Sequence, residues 1–294
     1  MLVTMKLHTT ITGEGSPIIL LHGFPQTHLM WRHVAPELAK SHTVICPDLR
    51  GYGASSKPRD GYDKRTMAQD VIELADELNL GRFALVGHDR GVHVAFRAAL
   101  DHPDRISHLG LLDSVPAYDT WNVLHGREAQ VAFHLYLMAQ QTELPQQMIT
   151  NSADAFFGHF LDAWSNSPMP AEIRNEYLKA SRNAIPSIIE DFRALATIDV
   201  EHDKADLDAG NKLTMPVAVM QQDWGSQLGF DPTELWRKWV TDLRYTTTKA
   251  GHFAAEEAPD EVITMIRDLV APDEGSSSAT GPTQATGLAA HGAR

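Results

Sequence analysis

A glycine-flanked turn joins a short apolar run to a helical segment, and this junction restricts the possible folds more than any other part of the sequence. The apolar run covers residues 83–86, the turn reads Gly87-His88-Asp89-Arg90-Gly91, and the helical segment covers residues 92–100. Small residues at both ends permit a sharp strand-to-helix corner that exposes the central side chain, here Asp89. A carboxylate there can displace a leaving group from saturated carbon and form an alkyl ester on the protein. Asp89 could instead only cap the helix, because Asp is a favoured N-cap residue.

Short apolar runs also alternate with helical segments elsewhere in the chain. The other apolar runs cover residues 17–21, 43–46, 106–112, 216–220 and 245–248. The helical patterns between and after them cover residues 66–80, 234–240 and 260–270. Buried strands that alternate with helices predict a mostly parallel sheet flanked by helices on both faces.

The middle of the chain has a different pattern. From about residue 116 to 205 it shows helical periodicity, many aromatic residues and no convincing strand. The sequence therefore predicts an α/β fold with a helical cap: a core of residues 1–115 and 206–272, a cap of 116–205 and a tail of 273–294. The tail has almost no large apolar side chains, so we expect it to be disordered. Most aromatic residues of the cap, Trp164 among them, are expected to pack the cap onto the sheet, and a few to line the apolar pocket between cap and core.

Charge and cysteine content exclude several classes of function. The 294 residues include 25 Lys or Arg and 38 Asp or Glu, which gives a formal net charge of −13. That balance argues against nucleic acid or an anionic membrane as the main partner. The single cysteine, Cys46, excludes a disulfide framework and a cysteine-rich zinc site and is expected to be a buried thiol; no motif indicates another metal or a cofactor. Because neither a signal peptide nor a run of about 20 apolar residues is present, a cytoplasmic protein is expected.

A motif near the start supplies a candidate oxyanion hole. His22-Gly23-Phe24-Pro25 directly follows the first apolar run. The backbone N–H of Phe24, together with that of Arg90, could hold the charge of the tetrahedral intermediate formed when an ester is hydrolysed.

A motif near the end supplies a candidate base. In Gly251-His252-Phe253, which follows the last apolar run, His252 would activate the hydrolytic water. Such a base needs an orienting acid, and both Asp113 and Asp223 end predicted strands. The order of these motifs favours the nucleophile interpretation of Asp89 over the capping one.

With these motifs, the chain resembles the α/β-hydrolases of the fluoroacetate (haloacetate) dehalogenase family over about residues 3–269. The segments that carry the resemblance are HGFPQTHLMW (22–31), DLRGYG (48–53), GHDRG (87–91), ALDHP (99–103), EHDK (201–204), GNK (210–212), GHF (251–253) and EEAPD (256–260). The turn alone also occurs in epoxide hydrolases, whereas the whole set is typical of the haloacetate group.

The resemblance implies a role for each candidate residue. It assigns Asp89 as the nucleophile, His252 as the base and Asp113, in preference to Asp223, as the orienting acid. It also implies that Arg90 binds the substrate carboxylate.

Three positions depart from the family pattern. His93 stands where the family has a second carboxylate-binding arginine, so either a protonated imidazole or a single neutral N–H would remain there. The halide-binding histidine is kept as His134, but Leu135 and Phe192 replace a Trp and a Tyr that donate hydrogen bonds to the halide. Each lost charge-assisted donor costs about 1.5–3 kcal/mol, so chloride or bromide is expected to leave more readily than fluoride. The strand-like residues 3–10 also directly precede the run 17–21, so we expect the sheet to lack one N-terminal edge strand of the family.

Three functions remain open from the sequence. The first is hydrolytic dehalogenation of a small molecule, most simply a short 2-halo acid. The second is epoxide hydrolysis, with His134 as a proton donor to the ring oxygen. The third is a non-catalytic ligand-binding homologue, against which the complete Asp–His–Asp set argues. The resemblance is also compatible with a homodimer packed through cap helices.

Overall fold

The computed structural model describes residues 5–223 and 228–271, and seven strands in these residues form a single sheet. The strands are β1 (Thr9–Thr12), β2 (Ser16–Leu21), β3 (His42–Pro47), β4 (Phe83–His88), β5 (Ile106–Leu112), β6 (Val217–Gln222) and β7 (Leu243–Thr248). Their order in the sheet is β1-β3-β2-β4-β5-β6-β7. Only β1 is antiparallel to its neighbour, β3; the other neighbouring strands are parallel.

The helices divide into those that alternate with the strands and those of the insertion. The first group is α1 (Ala35–Leu38), α2 (Lys64–Glu77), α3 (Arg90–Asp101), and, after the insertion, Pro232–Arg237, Ala254–Glu257 and Pro259–Val270. The insertion between β5 and β6 contains α4 (Ala117–Val123), α5 (Phe133–Met138), α6 (Leu144–Asn151), α7 (Ala153–Ala163), α8 (Ala171–Arg182), α9 (Ile185–Leu195) and α10 (Ile198–Ala209). Within residues 228–271, the helices after the insertion are numbered α11, α12 and α13 in chain order. The described residues also contain two short 3₁₀ turns, His28–Trp31 and Glu128–Gln130.

The sheet separates two apolar cores. Along β2, Ile19 and Leu21 belong to one core and Ile18 and Leu20 to the other, as the alternation of side chains in a strand requires. Because both faces of the strand are buried, the strand appears in the sequence as a continuous apolar run.

The register of the central strands determines where the candidate site forms. In β4, Gly87 pairs with Leu21 of β2, and His88 pairs with Leu112 of β5. The carboxyl ends of these three parallel strands therefore meet at one edge of the sheet. The turns that follow them, which carry the candidate residues, leave the sheet side by side.

The predicted fold class is confirmed, with small differences in the bounds of the elements. Helix α10 runs to Ala209, because Gly210 takes a left-handed conformation with φ +72° and ends it there; the expected cap boundary at residue 205 thus lies inside a helix. The first strand of the described residues is β1 at Thr9–Thr12 rather than at residues 3–10. The absence of one family edge strand and the division into core and cap stay predictions.

Three further expectations concern the tail, the single cysteine and membrane-spanning segments. The tail at 273–294 lies outside the described residues. Cys46 is buried, as expected, and burial raises the pKa of its thiol to about 12. None of the helices in the described part of the chain has the length and apolarity needed to cross a bilayer.

Candidate active site

The turn between β4 and α3 holds Asp89 in an unusual backbone conformation. Its φ is +47° and its ψ is −110°, which an L-residue rarely adopts. The turn requires a glycine at position 87, because a Cβ there would lie only 2.2 Å from the carbonyl oxygen of Gly91. Although Asp89 immediately precedes α3, its side chain makes no helix-capping hydrogen bond. The conformation therefore supports the nucleophile interpretation over the capping one.

His252 lies between two carboxylates at the same edge of the sheet. Its Nδ1 donates a hydrogen bond of 2.6 Å to Oδ2 of Asp113, and its Nε2 lies 3.8 Å from Oδ2 of Asp89. Asp113 is fixed in turn by Gln222, whose backbone N–H and side-chain amide donate at 3.0 and 2.7 Å. Of the two candidate acids, Asp113 is the one hydrogen-bonded to His252. The buried Nε2 of His252 has no hydrogen-bond partner among the described residues, so it is the nitrogen that can accept a proton from water.

The pKa values of His252 and Asp89 are both shifted upward. Burial lowers the pKa of His252, but the hydrogen bond and the charge of Asp113 outweigh that effect and raise it above its usual value. Burial also raises the pKa of Asp89, against the opposing charges of His252 and Arg90. Both groups are therefore poised by their surroundings, as is typical of catalytic residues.

The backbone of Phe24 lies against the Asp89 carboxylate. Its N–H donates to Oδ1 of Asp89 at 2.6 Å, and the backbone N–H of Arg90 also interacts with this carboxylate. The approach requires a glycine at position 23, because a Cβ there would lie 2.4 Å from Cβ of Asp89. The structure thus brings together both N–H groups of the predicted oxyanion hole.

A cavity of about 480 Å³ opens above Asp89, between the insertion and the sheet. The predicted site residues that line it are Asp89, Arg90, His93, Asp113, His134, Leu135, Phe192 and His252. Its volume lies in the range that small-molecule sites usually have.

Arg90 lines the cavity, but much of its guanidinium is already bound to Asp191. Its Nε donates to Oδ2 of Asp191 at 2.8 Å, and its Nη2 donates to Oδ1 at 2.8 Å and to the main-chain oxygen at 3.0 Å. Asp191 is fully buried and also accepts hydrogen bonds from the Tyr52 hydroxyl, at 2.6 Å, and from the ammonium of Lys64. Burial alone would raise the pKa of Asp191, but the charges of Arg90 and Lys64 hold it well below its usual range.

Asp191 is a residue of the site that the sequence analysis missed. It lies beside Phe192, which was noted, in the segment EDFR at 190–193. An acidic residue in an otherwise apolar helix face was the available signal, because a buried carboxylate needs a cationic partner. The structure shows that this partner is the arginine expected to bind substrate.

His93 is neutral in these surroundings. Burial and the nearby charge of Arg90 place the pKa of His93 well below its usual value. Its Nε2 lies 3.3 Å from Oγ of Ser114, and its buried Nδ1 has no hydrogen-bond partner among the described residues. Of the two states considered for His93, the structure therefore supports the neutral one.

His134 lies in a cage of aromatic rings. It is stacked on Phe24 at 5.9 Å between ring centroids and also contacts the rings of Phe160, Trp164 and Phe192. Burial and the charge of Arg90 lower the pKa of His134 to about 3, so it is neutral at ordinary pH. A neutral imidazole offers one N–H donor, and Leu135 adds none.

Trp164 does more than pack the cap onto the sheet. Its ring lines the cavity and lies 4.9 Å from the ring of His252, edge to face. Its main-chain oxygen accepts a hydrogen bond of 2.9 Å from the backbone N–H of His252. An aromatic residue in a helical segment gives no sequence signal for such a contact.

One group of possible metal ligands occurs among the described residues, away from the cavity. It consists of His8, His28 and Asp48. The Asp48 carboxylate already accepts hydrogen bonds from the backbone and ring of His28 and from the backbone of Ala54, each at 2.8 Å. We assign no metal-binding role to this group.

Comparisons with known proteins identify the family and several relatives. A family model for the alpha/beta hydrolase fold matches residues 16–259. A fluoroacetate dehalogenase of a Burkholderia species is 36% identical over 277 residues, which are 90% of each chain. A soluble epoxide hydrolase of a Corynebacterium species is 33% identical over 279 residues, 91% of this chain and 94% of the relative. The solved structure of the epoxide hydrolase CorEH is 31% identical and superposes with a TM-score of 0.82, covering 90% of this chain and 94% of that one.

Proposed function

The chain belongs to the alpha/beta hydrolase fold family, and on that premise we propose that it hydrolyses the carbon–halogen bond of short 2-halo acids through an ester on Asp89. The observation that carries this proposal is the position of the Asp89 carboxylate, 3.8 Å from Nε2 of His252, in a cavity that Arg90 also lines. A carboxylate nucleophile suits attack on saturated carbon, and Arg90 is the one Arg or Lys among the described residues that line the cavity.

In the first step, Oδ2 of Asp89 attacks the carbon that carries the halogen. A carbon–oxygen bond forms, the carbon–halogen bond breaks, and the halide leaves with the bonding electrons. The product is an ester of Asp89. Oδ1 remains the carbonyl oxygen, next to the N–H of Phe24.

In the second step, water hydrolyses this ester. Nε2 of His252 takes a proton from the water, whose oxygen attacks Cγ of Asp89, while Asp113 stabilises the resulting imidazolium. The negative charge develops on Oδ1, where the N–H groups of Phe24 and Arg90 can stabilise it. Collapse of the intermediate breaks the bond between Cγ and the substrate oxygen, and the departing alkoxide takes the proton of the added hydroxyl. This restores the Asp89 carboxylate and releases a 2-hydroxy acid; His252 then loses its proton to solvent.

The cavity wall favours chloride or bromide as the leaving group. The neutral His134 can donate one hydrogen bond, and both Leu135 and Phe192 line the cavity without a polar group. Fluoride depends most strongly on such donors, because it is a small ion that is tightly solvated in water. We therefore propose fluoroacetate as a poor substrate.

Epoxide hydrolysis is the second candidate. The full-length similarity to the Corynebacterium soluble epoxide hydrolase favours it, as does the single N–H that His134 can direct into the cavity. The same Asp89 ester would form, and the ring oxygen would take its proton from the cap. Phe192 has no hydroxyl to assist as a second donor, which makes this candidate the weaker one.

A mass-spectrometric experiment tests the covalent route. The His252→Ala protein, incubated with bromoacetate, should release one equivalent of bromide and retain the carboxymethyl ester on Asp89, visible as added mass on a peptide containing residue 89. Asp89→Asn should show neither bromide release nor added mass. The matched control is His159→Ala, a cavity-lining histidine that packs on Phe133 and Phe160 and should turn over without accumulating adduct.

The same experiment, run with bromoacetate and with styrene oxide, separates the candidate functions. Bromide release with an adduct supports the halo acid proposal. An adduct from styrene oxide but not from a halo acid would indicate that the protein is an epoxide hydrolase. If neither compound leaves an adduct on the His252→Ala protein, the covalent mechanism is contradicted and a non-catalytic homologue is favoured.

A further inference from the structure

Two loops meet directly beside the base. The cap loop, residues 164–166, follows α7, and the base loop, residues 249–252, precedes α12. The backbone N–H of His252 donates to the oxygen of Trp164 at 2.9 Å, and the Asn166 amide donates to the oxygen of Lys249 at 2.9 Å. The two loops are therefore hydrogen-bonded to each other at both ends of the contact.

Glu257 bridges the same two loops. Its Oε2 accepts a hydrogen bond of 2.6 Å from the backbone N–H of Gly251, and its Oε1 accepts one of 2.8 Å from the backbone N–H of Asn166. A single carboxylate thus binds one N–H of the base loop and one of the cap loop. Such charge-assisted hydrogen bonds are stronger than those between neutral groups.

Gly251 shows how closely the loops approach each other. A Cβ at this position would lie 2.4 Å from the oxygen of Trp164, 3.0 Å from the nitrogen of Asn166 and 3.2 Å from Oε2 of Glu257. Any other residue would push the cap loop away from the base loop. The glycine before the catalytic histidine is therefore required by this contact.

We propose that Glu257 is a positioning residue, which holds the cap loop against the base loop and thereby sets the place and the proton affinity of His252. The role of Glu257 in ester hydrolysis rests on the proposed function, whereas its effect on the titration of His252 does not. Because the ring of Trp164 both lines the cavity and contacts His252, the position of the cap is transmitted to the base through these loops.

Several charged or titratable groups face His252 from the surrounding elements. They are Asp113 after β5, Asp89 after β4, Glu257 in α12, His88 in β4 and His134 in α5. The three carboxylates raise the pKa of His252, and the two histidines are neutral because burial lowers their pKa values. Asp89 and Asp113 take part in the proposed mechanism as nucleophile and orienting acid, whereas Glu257 does not.

The chain offers a matched control in the neighbouring residue. Glu256 also joins the cap to the core: it accepts hydrogen bonds from the hydroxyl of Tyr177 in α8 and from the amide of Gln26, at 2.9 Å for the latter, and it pairs with Arg32 at 2.8 Å. These contacts lie away from the base loop. Glu256→Gln therefore weakens cap attachment without removing a charge bound to the base loop.

The test is an NMR titration of the His252 imidazole, assigned by its absence in His252→Gln, in both variants. Glu257→Gln should lower the pKa of His252 by about half a unit or more, because it removes a nearby negative charge. Glu256→Gln should leave that pKa unchanged. With bromoacetate, Glu257→Gln should slow ester hydrolysis roughly tenfold, with little change in the initial bromide burst.

A second variant covers the case in which Glu257→Gln does not fold. Asn166→Ala removes the hydrogen bond to Lys249 but no charge, so it should slow ester hydrolysis and leave the pKa of His252 in place. The proposal is overturned if Glu257→Gln matches the wild type in both measurements, or if Glu256→Gln shifts the pKa equally. If the wild type forms no ester at all, the proposed function fails, and the titration alone decides the role of Glu257.

Discussion

The hydrogen-bonding capacity of the cavity wall depends on a few individual side chains around His134. Phe192 contributes its ring to this wall, edge-on to His134 at 5.7 Å and beneath the Arg90 guanidinium at 4.4 Å. It gives Arg90 a cation–π contact, but no donor to a leaving group. A phenol in its place would keep the ring contacts and add one hydroxyl.

Phe192→Tyr is therefore expected to improve defluorination more than dechlorination. A new hydrogen bond to the departing fluoride should raise the rate of fluoride release from fluoroacetate roughly tenfold or more. The measurement is halide release from fluoroacetate and chloroacetate with ion-selective electrodes.

Phe160→Tyr provides the comparison. Phe160 also packs on His134, at 4.8 Å, but it is fully buried and does not line the cavity. If both tyrosine variants changed the fluoride-to-chloride ratio equally, a hydrogen bond at position 192 would not be the cause.

Among the secondary-structure elements, a buried network of charges joins helices of the insertion to helices that flank the sheet. Asp191 of α9 binds Arg90 of α3 and Lys64 of α2, and Lys64 also lies 3.4 Å from Asp199 of α10. Two cations are thus balanced by two carboxylates across four helices. A buried ion pair costs desolvation energy, but breaking one by removing a partner leaves an uncompensated charge.

Asp191→Asn is expected to destabilise the protein by about 3–5 kcal/mol at neutral pH, because Arg90 loses its paired carboxylate and Lys64 keeps only that of Asp199. Tyr52→Phe, which removes only one hydrogen bond to the same carboxylate, should cost about 1 kcal/mol. Urea unfolding of both variants gives the two values. Equal losses would mean that the hydrogen bonds, and not the charge, hold this joint together.

The sign of the pH dependence follows from the same pKa shift. Because the pKa of Asp191 is lower in the folded than in the unfolded protein, its contribution is present above the unfolded value of 3.8. That contribution is lost as the pH falls below it. The free energy of unfolding of the wild type should therefore fall more steeply with decreasing pH than that of Asp191→Asn.

Sequence patterns predicted the elements well because each pattern is local. The apolar runs identified β2, β4 and β5 directly, and the glycines at 87 and 91 identified the turn from β4 into α3. The order of the motifs along the chain then indicated the partners of Asp89, since the carboxyl ends of parallel strands meet at one edge. Helix bounds were missed by a few residues, because capping depends on individual side chains such as Asp63 at the start of α2.

The contacts that were missed join residues far apart in the sequence. Arg90 and Asp191 are 101 positions apart, and Asn166 and Glu257 are 91 apart. No period or spacing predicts which buried carboxylate meets which cation. A pattern therefore identified Arg90 as a cation of the site, but only the fold shows that it is already paired.

For the molecule as a whole, stability changes with pH through two carboxyl groups whose pKa values are shifted in opposite directions. Asp203 and Asp206 lie three residues apart in α10, the last helix of the insertion. Burial raises the pKa of Asp203 to about 7, with backbone N–H groups of α4 and the charge of Arg97 opposing it. Burial also acts on Asp206, but hydrogen bonds from Asn211 and Arg97 outweigh it and lower its pKa.

These shifts predict opposite effects of two matched substitutions on the free energy of unfolding. The folded protein holds the Asp203 proton more tightly than the unfolded chain, so this group stabilises the protein below pH 3.8 and the contribution is lost as the pH rises toward 7. Asp203→Asn, which cannot ionise, should match the wild type only below pH 3.8 and should be more stable by about 1–2 kcal/mol at pH 5 and by about 4 kcal/mol at pH 8. Asp206→Asn should be less stable at pH 8, because it loses a carboxylate that the folded state favours. Urea unfolding at both pH values measures the four differences, and a destabilised Asp203→Asn at pH 8 would show that its carboxylate is ionised and well paired in the folded protein.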